Sequence, residues 1–224
     1  GISTGAAARA DLSGAYAVNV EATALLSEAV ARAAPDAHFV LAGSGLAYGS
    51  SFRDIDAPLA EDAPLQPLDA YATTKAAAET AIEPGAPATI LRFFNVIGRG
   101  QSLAFALPAF AKKIAEIERG VRAPVLDTSR LDEARDFVDI ADAARAVEGV
   151  LQRRQTGVFN VASGVTRPMH DVLGEMIALS SAEIAVNETK GEGLPLIARG
   201  SPAALQAATG WRAEVPFAST LAGI

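Results

Sequence analysis

The 224-residue sequence has no cysteine, two histidines, one tryptophan and 6% aromatic residues. Without cysteine there is no disulfide, no thiolate zinc site and no cysteine nucleophile, and a reducing, cytoplasmic setting is the natural expectation. No apolar run reaches the roughly eighteen residues that a bilayer span needs, so no membrane role is expected. Residues Gly1 to Ala10 lack the basic start and apolar stretch of a signal peptide. Positive charge is scarce as well: 19 Lys and Arg stand against 26 Asp and Glu, a net charge of -7. A nucleic-acid binder needs the opposite balance to displace counterions, so that class is set aside. His38 and His170 have no metal-ligand partner at useful spacing, so both read as structural and no metal site is expected. With 50% hydrophobic residues and a mean hydropathy of +0.23, the chain is not a disordered one.

What is present is an alternation of helical and β-rich stretches, the pattern of α/β architecture. Apolar spacing predicts a helix over 11–33, and His38 to Gly43 reads as a continuously apolar, buried parallel strand. Residues 44–68 form a long loop rich in Gly, Ser, Asp and Pro, a length usually reserved for function. Asp69 suits a helix N-cap before Tyr71 to Ala81. Strands are then expected at 88–93, 124–127, 136–138, 158–161 and 184–186, and helices at 105–118, 140–151, 168–179 and 202–208. One element of a dinucleotide-binding sheet is missing: no G-x-G-x-x-G turn occurs, and Gly43-Ser44-Gly45 is followed by a loop, not a helix.

Tyr71 and Lys75, four apart, share one face of the helix they sit on. An isolated pair of this kind is an ordinary surface pattern, but the surroundings are specific. Ser44 stands just after a strand, at the carboxyl edge where open α/β sheets bind ligands. In order come Gly43-Ser44-Gly45-Leu46-Ala47-Tyr48-Gly49, Tyr71-Ala-Thr-Thr-Lys75, Leu91-Arg-Phe-Phe-Asn95-Val-Ile-Gly98 and Arg135-Asp-Phe-Val-Asp139. With these four ordered motifs the sequence resembles the extended short-chain dehydrogenase/reductase family acting on nucleotide sugars, over nearly its whole length. Gln101-Ser102 and the segments Ala111 to Glu118 and Ala207 to Trp211 are most similar to its GDP-4-keto-6-deoxymannose reductases.

The resemblance implies a Rossmann-like, doubly wound parallel sheet with a small C-terminal α/β substrate lobe. Residues 1–95 and 137–162 would belong to the dinucleotide-binding domain, and 96–136 and 163–224 to the lobe. In the family the Gly-rich βαβαβ part precedes the segment that here begins at Gly1, so the chain matches the family without its first third to quarter. The resemblance further implies an NAD or NADP cofactor, a nucleotide-diphosphate-sugar substrate and a homodimer built on the helices at 11–33 and 69–81. Ser44, Tyr71 and Lys75 would be catalytic. Asn19, Tyr71, Lys75 and Phe94 would hold the cofactor, and Asn95 and Arg135 the substrate diphosphate. Two of these residues admit another reading: Asn19 as a solvent-facing helix residue, and Arg135 as an ion-pair partner of Asp132 or Glu133. Lys190-Gly191 replaces an Arg-Pro common in the family, and the aspartate usual near Arg199-Gly200 is missing.

The implied chemistry is reduction of a sugar 4-ketone. Free tyrosine has a pKa of about 10 and must be brought down by roughly 3 pH units to exchange protons near neutrality. A Lys⁺ about 5 Å away at an effective dielectric of 20 would supply roughly 3 kcal/mol of this. The alternatives are a 4-epimerase with tightly bound NAD and a non-catalytic member of the family. A dehydratase is not expected, because Gly45-Leu46-Ala47 carries no acid where those enzymes place one.

Overall fold

The computed structural model describes residues 4–53, 57–190 and 194–224; Gly191 of the Lys190-Gly191 departure lies outside the described residues. Helix α1 (Gly5–Ala10) starts at Thr4, whose hydroxyl accepts from the Ala7 amide at 3.2 Å. Asp11 ends α1 and caps α2 (Leu12–Tyr16), accepting from the Gly14 amide at 2.8 Å. A π turn at Ala17–Glu21 leads into α3 (Ala22–Ala33). The helix expected over 11–33 is therefore interrupted, and the wide turn carries Asn19, which is buried.

Strand β1 (Phe39–Ser44) runs into a tight 3₁₀ segment, Gly45–Arg53. Helix α4 (Ala70–Thr80) begins where Asp69 accepts from the Ala72 amide at 2.8 Å. Strand β2 (Ala88–Phe93), the short β3 (Asn95–Ile97), α5 (Ala106–Glu118), β4 (Val125–Ser129) and β5 (Ala134–Asp139) follow. The chain continues through α6 (Ile140–Gln152), β6 (Gly157–Val161), β7 (Thr166–Pro168), α7 (Met169–Ala178) and β8 (Ala185–Thr189). It closes with α8 (Ala203–Thr209) and α9 (Phe217–Ala222).

Among the described residues the parallel sheet β1-β2-β6 is the centre of the Rossmann-like layer. Because β1 occupies its edge, Phe39, Val40 and Leu41 are half-buried, not enclosed as the apolar run suggested. Behind β2 and β6, Leu91, Val138, Val150, Val161, Leu205 and Trp211 form one core. Trp211 packs there as its type predicts, with its indole N–H donating to the Asp142 carbonyl at 2.8 Å.

A second core lies among the later elements. Leu107, Phe110 and Ile114 of α5 meet Leu126 of β4 and Val172, Leu173 and Met176 of α7. The sheet β3-β5-β7 joins the two halves: β3 leaves β2 after one residue and pairs with β5, so Asn95 stands opposite Phe137. β4 pairs in parallel with β8, which extends further than the expected 184–186 strand. The short β3, β7 and α9 escape sequence reading because each spans too few residues to show a period.

Candidate active site

A cavity of about 720 Å³ opens at the carboxyl ends of β1 and β2. Ser44, Tyr71, Lys75, Phe94, Asn95 and Arg135 all line it. Residues far apart in sequence thus reach one place because β1 ends at Ser44 while β2 hands over to β3 between Phe93 and Asn95. Helix α4 lies over this edge and presents Tyr71 and Lys75 one turn apart.

The Tyr71 and Ser44 side chains are neighbours in this lining. Ser44 Oγ accepts from the Leu46 amide at 3.2 Å, which fixes its rotamer. Lys75 Nζ donates to the Ala42 carbonyl at 2.9 Å and sits 5.9 Å from the Tyr71 ring centroid. Burial pushes the Tyr71 phenol up from its ordinary value; the Ser44 hydrogen bond opposes this, and the Asp69 carboxylate adds to it. Burial pushes the Lys75 ammonium down. The sequence argument expected lysine to lower the tyrosine. Here desolvation dominates and leaves Tyr71 a neutral phenol, a proton donor.

Asn19 lies outside the cavity lining. Its amide donates to Thr74 Oγ1 at 3.0 Å, and Thr74 in turn donates to the Tyr71 carbonyl at 2.9 Å. It is not a solvent-facing residue. Phe94 is wedged in place: a Cβ on Gly45 would come within 2.8 Å of its ring, and one on Gly200 within 2.4 Å. Its amide donates to the Val161 carbonyl at 3.0 Å. Asn95 donates to the Asp136 carbonyl at 3.0 Å.

Arg135 donates to the Leu196 carbonyl at 2.7 Å and is ion-paired with Glu133. Arg130, at the same wall of the cavity, pairs with Asp132 at 3.0 Å and approaches Glu133 at 3.7 Å. Two guanidinium groups therefore flank one carboxylate. Sequence reading missed Arg130 and Glu133 as cavity residues, although Glu133 was named as a possible partner of Arg135. Beneath the catalytic edge it also missed a buried ion pair, Arg92–Glu79, with Arg92 Nη2 at 2.7 Å from Glu79 Oε2. The spacing Tyr71, Lys75, Glu79 along one helix face is the signal that could have found it.

Residues 1–162 match the NAD dependent epimerase/dehydratase family. The chain belongs to that family. It is 28% identical over 216 residues to the GDP-6-deoxy-D-mannose reductase of Pseudomonas aeruginosa, covering 92% of this chain and 71% of that protein. It is 29% identical to the dTDP-6-deoxy-L-talose 4-dehydrogenase (NAD(P)(+)) of Kitasatospora kifunensis, over 77% of this chain and 56% of that one. Among solved structures, that of RMD from Pseudomonas aeruginosa complexed with NADPH superposes with a TM-score of 0.92 at 27% identity, covering 100% of this chain and 77% of that chain. The Rossmann-like α/β fold follows from the same superposition. Its relatives are reductases, dehydrogenases and epimerases of nucleotide sugars.

The residues present fit the nicotinamide end of a dinucleotide. Lys75 spends one of its three N–H donors on Ala42, and Ser44, Tyr71 and Phe94 share its cavity wall. Among the described residues Gly43 and Gly45 pack against Glu79 and Phe94 and lead into a 3₁₀ segment, not the α-helix N-terminus that a pyrophosphate needs. Among the described residues no group of three or more His, Cys, Asp or Glu could hold a metal ion.

The raised phenol gives a direct expectation. In an alkaline ultraviolet titration, subtracting the Tyr71→Phe curve from that of the unsubstituted protein should isolate a tyrosinate step centred above pH 10. A step below 10 would show that Lys75, not burial, controls Tyr71.

Proposed function

We propose that this chain carries the catalytic and substrate-binding part of a nucleotide-sugar 4-ketoreductase that works with NAD or NADP on a 4-keto-6-deoxyhexose, GDP-linked by preference. The observation that carries this reading is that Ser44, Tyr71 and Lys75 line one cavity together with Arg130 and Arg135. A bound reduced nicotinamide would supply the hydride that the carbonyl carbon takes up. Tyr71 holds the proton that the carbonyl oxygen requires, and its raised pKa keeps that proton in place until charge develops on the oxygen. Ser44 donates to the same oxygen, and Lys75 stabilises the tyrosinate left behind. Asn95 and Arg135 hold the diphosphate, with the guanidinium fork exchanging Glu133 for phosphate oxygens.

The GDP preference rests on the relative from Pseudomonas aeruginosa, and the division into dinucleotide domain and substrate lobe rests on the family's pattern. Among the described residues no helix is long and apolar enough to cross a membrane; the cytoplasmic assignment rests on the cysteine-free composition. Leu25 and Leu26 of α3, 67% and 57% exposed, together with Tyr16 and Val18 leave an apolar helical face open. We assign that face to a second copy of the chain.

Three outcomes are expected. With the full-length protein, a GDP-4-keto-6-deoxyhexose should consume one reduced nicotinamide per sugar by absorbance, and Tyr71→Phe should keep less than about a tenth of the rate. Sugar interconversion at constant absorbance would instead mark an epimerase. Calorimetry of Arg135→Ala should show sugar-nucleotide binding weakened by about 1.5–3 kcal/mol with cofactor binding nearly unchanged. Light scattering at micromolar concentration should give a dimer, and a monomer would remove the assignment of the α3 face.

A further inference from the structure

One buried ion pair takes no part in the proposed chemistry. Arg92 on β2 and Glu79 on α4 have side chains only 7% and 6% exposed. Arg92 Nε donates to both Glu79 oxygens, at 3.0 and 3.2 Å, and Nη2 donates to Oε2 at 2.7 Å. The other arm, Nη1, donates to the Tyr48 hydroxyl at 2.8 Å and to the Glu61 carbonyl at 2.9 Å. Tyr48 passes its own proton to Asn160 Oδ1 at 2.8 Å, and the Asn160 amide donates to Glu61 Oε1 at 2.7 Å. Every charge in the set is met.

The register of the sheet shows where this network lies. Gly43 of β1 pairs with Arg92 of β2, and Arg92 pairs with Asn160 of β6, so the three form one row across the sheet. Neighbours in such a row point to the same face. At the β1 end of the row there is no side chain. A Cβ there would stand 3.2 Å from Ile90 Cγ2 and the Leu91 carbonyl and 3.3 Å from Glu79 Oε1, so any other residue would press on the carboxylate and on β2. Gly43 is thus the gap through which α4 reaches β2, not a phosphate-binding glycine.

Buried ion pairs add little net stability, because desolvation cancels most of the attraction, but a bidentate pair does set a geometry. Glu79 lies on the α4 face of Tyr71 and Lys75, two turns and one turn further along. We infer that the Arg92–Glu79 pair, seated over Gly43, is a positioning device that sets the slide and rotation of α4 on the sheet and so holds Tyr71 against Ser44 and Lys75 against the Ala42 carbonyl. The inference rests on the reading of Tyr71 and Lys75 as the proton-handling pair.

Two variants test it. Glu79→Met with Arg92→Met removes both charges and fills the space with apolar groups, a replacement that buried pairs usually survive. Gly43→Ala keeps both charges and displaces the carboxylate. For each, the Tyr71 step is isolated by subtracting the same background carrying Tyr71→Phe, which removes any change at Tyr48. The expected result is a thermal midpoint close to that of the parent protein and a Tyr71 step moved down by about half a pH unit or more as water reaches the phenol. In the full-length protein kcat should fall about 100-fold while KM for the sugar nucleotide stays within about twofold. Either variant folded, with Tyr71 titrating as in the parent, overturns the inference. If the unsubstituted full-length protein reduces no sugar nucleotide, the functional reading fails while the titration still decides whether the pair positions Tyr71.

Discussion

The site depends on one geometric constraint: the face of α4 that carries Tyr71, Lys75 and Glu79 must lie over the carboxyl end of β1. A helix brings residues four apart onto one stripe, and a strand ends where its ladder ends. When the two are crossed, a hydroxyl at the strand end meets the first turn of the stripe, a carbonyl on the strand meets the second, and the next strand meets the third. Ser44, Ala42 and Arg92 are those three neighbours. The Lys75–Ala42 hydrogen bond and the Glu79–Arg92 pair are directional, so a slide of α4 by a fraction of a turn would break both together.

That placement has an electrostatic consequence. Tyr71 and Lys75 face a cavity walled largely by Phe93, Phe94, Phe105, Leu107 and Phe110, and such surroundings disfavour charge on either group. The phenol rises and the ammonium falls. Under the proposed reading both shifts suit reduction, in which the tyrosine must begin protonated. Elsewhere in the lining Arg130 and Arg135 are ion-paired around Glu133. Under the proposed reading the tyrosine side serves a neutral carbonyl and the arginine side the phosphates.

Much of this was legible in the sequence, for reasons that can be named. The four-residue spacing of Tyr71 and Lys75, the N-cap at Asp69 and the position of Ser44 after an apolar run are local signals, and local signals survive folding. Arg135 was read as a diphosphate ligand or as a partner of Glu133, and the structure shows the ion pair. Asn19 was harder. It was read as a cofactor contact or as a solvent-facing helix residue, but a π turn carries it inward onto Thr74, and π turns leave no periodic mark. The Arg92–Glu79 pair was legible only on its helix side, in the spacing of Glu79 behind Tyr71 and Lys75. Its partners are joined only by the sheet register that puts Arg92 opposite Gly43, and Gly43-Ser44-Gly45 invited comparison with a phosphate loop because two glycines needed for packing look the same as two needed for a ligand. The half-buried β1 is a similar case, since an apolar run shows a buried strand but not whether it lies at an edge.

The cavity also constrains the reaction type. Eliminating water from a nucleotide sugar needs a carboxyl group to take a proton from carbon and return one to the leaving hydroxyl. The stretch after Ser44 offers Leu46, which lines the cavity and has no proton to exchange. Glu61, in the following loop, might be thought a substitute by sequence alone, but its carboxylate accepts from the Asn160 amide at 2.7 Å and its carbonyl from Arg92. Among the described residues lining the cavity, Glu133 is the one acid, and it is held between Arg130 and Arg135. A carboxylate that serves as counter-ion to two guanidinium groups would have to abandon both to act as a base. Under the proposed reading Tyr71 and Ser44 remain as the proton carriers, which suits delivery of a proton to a carbonyl oxygen better than expulsion of water.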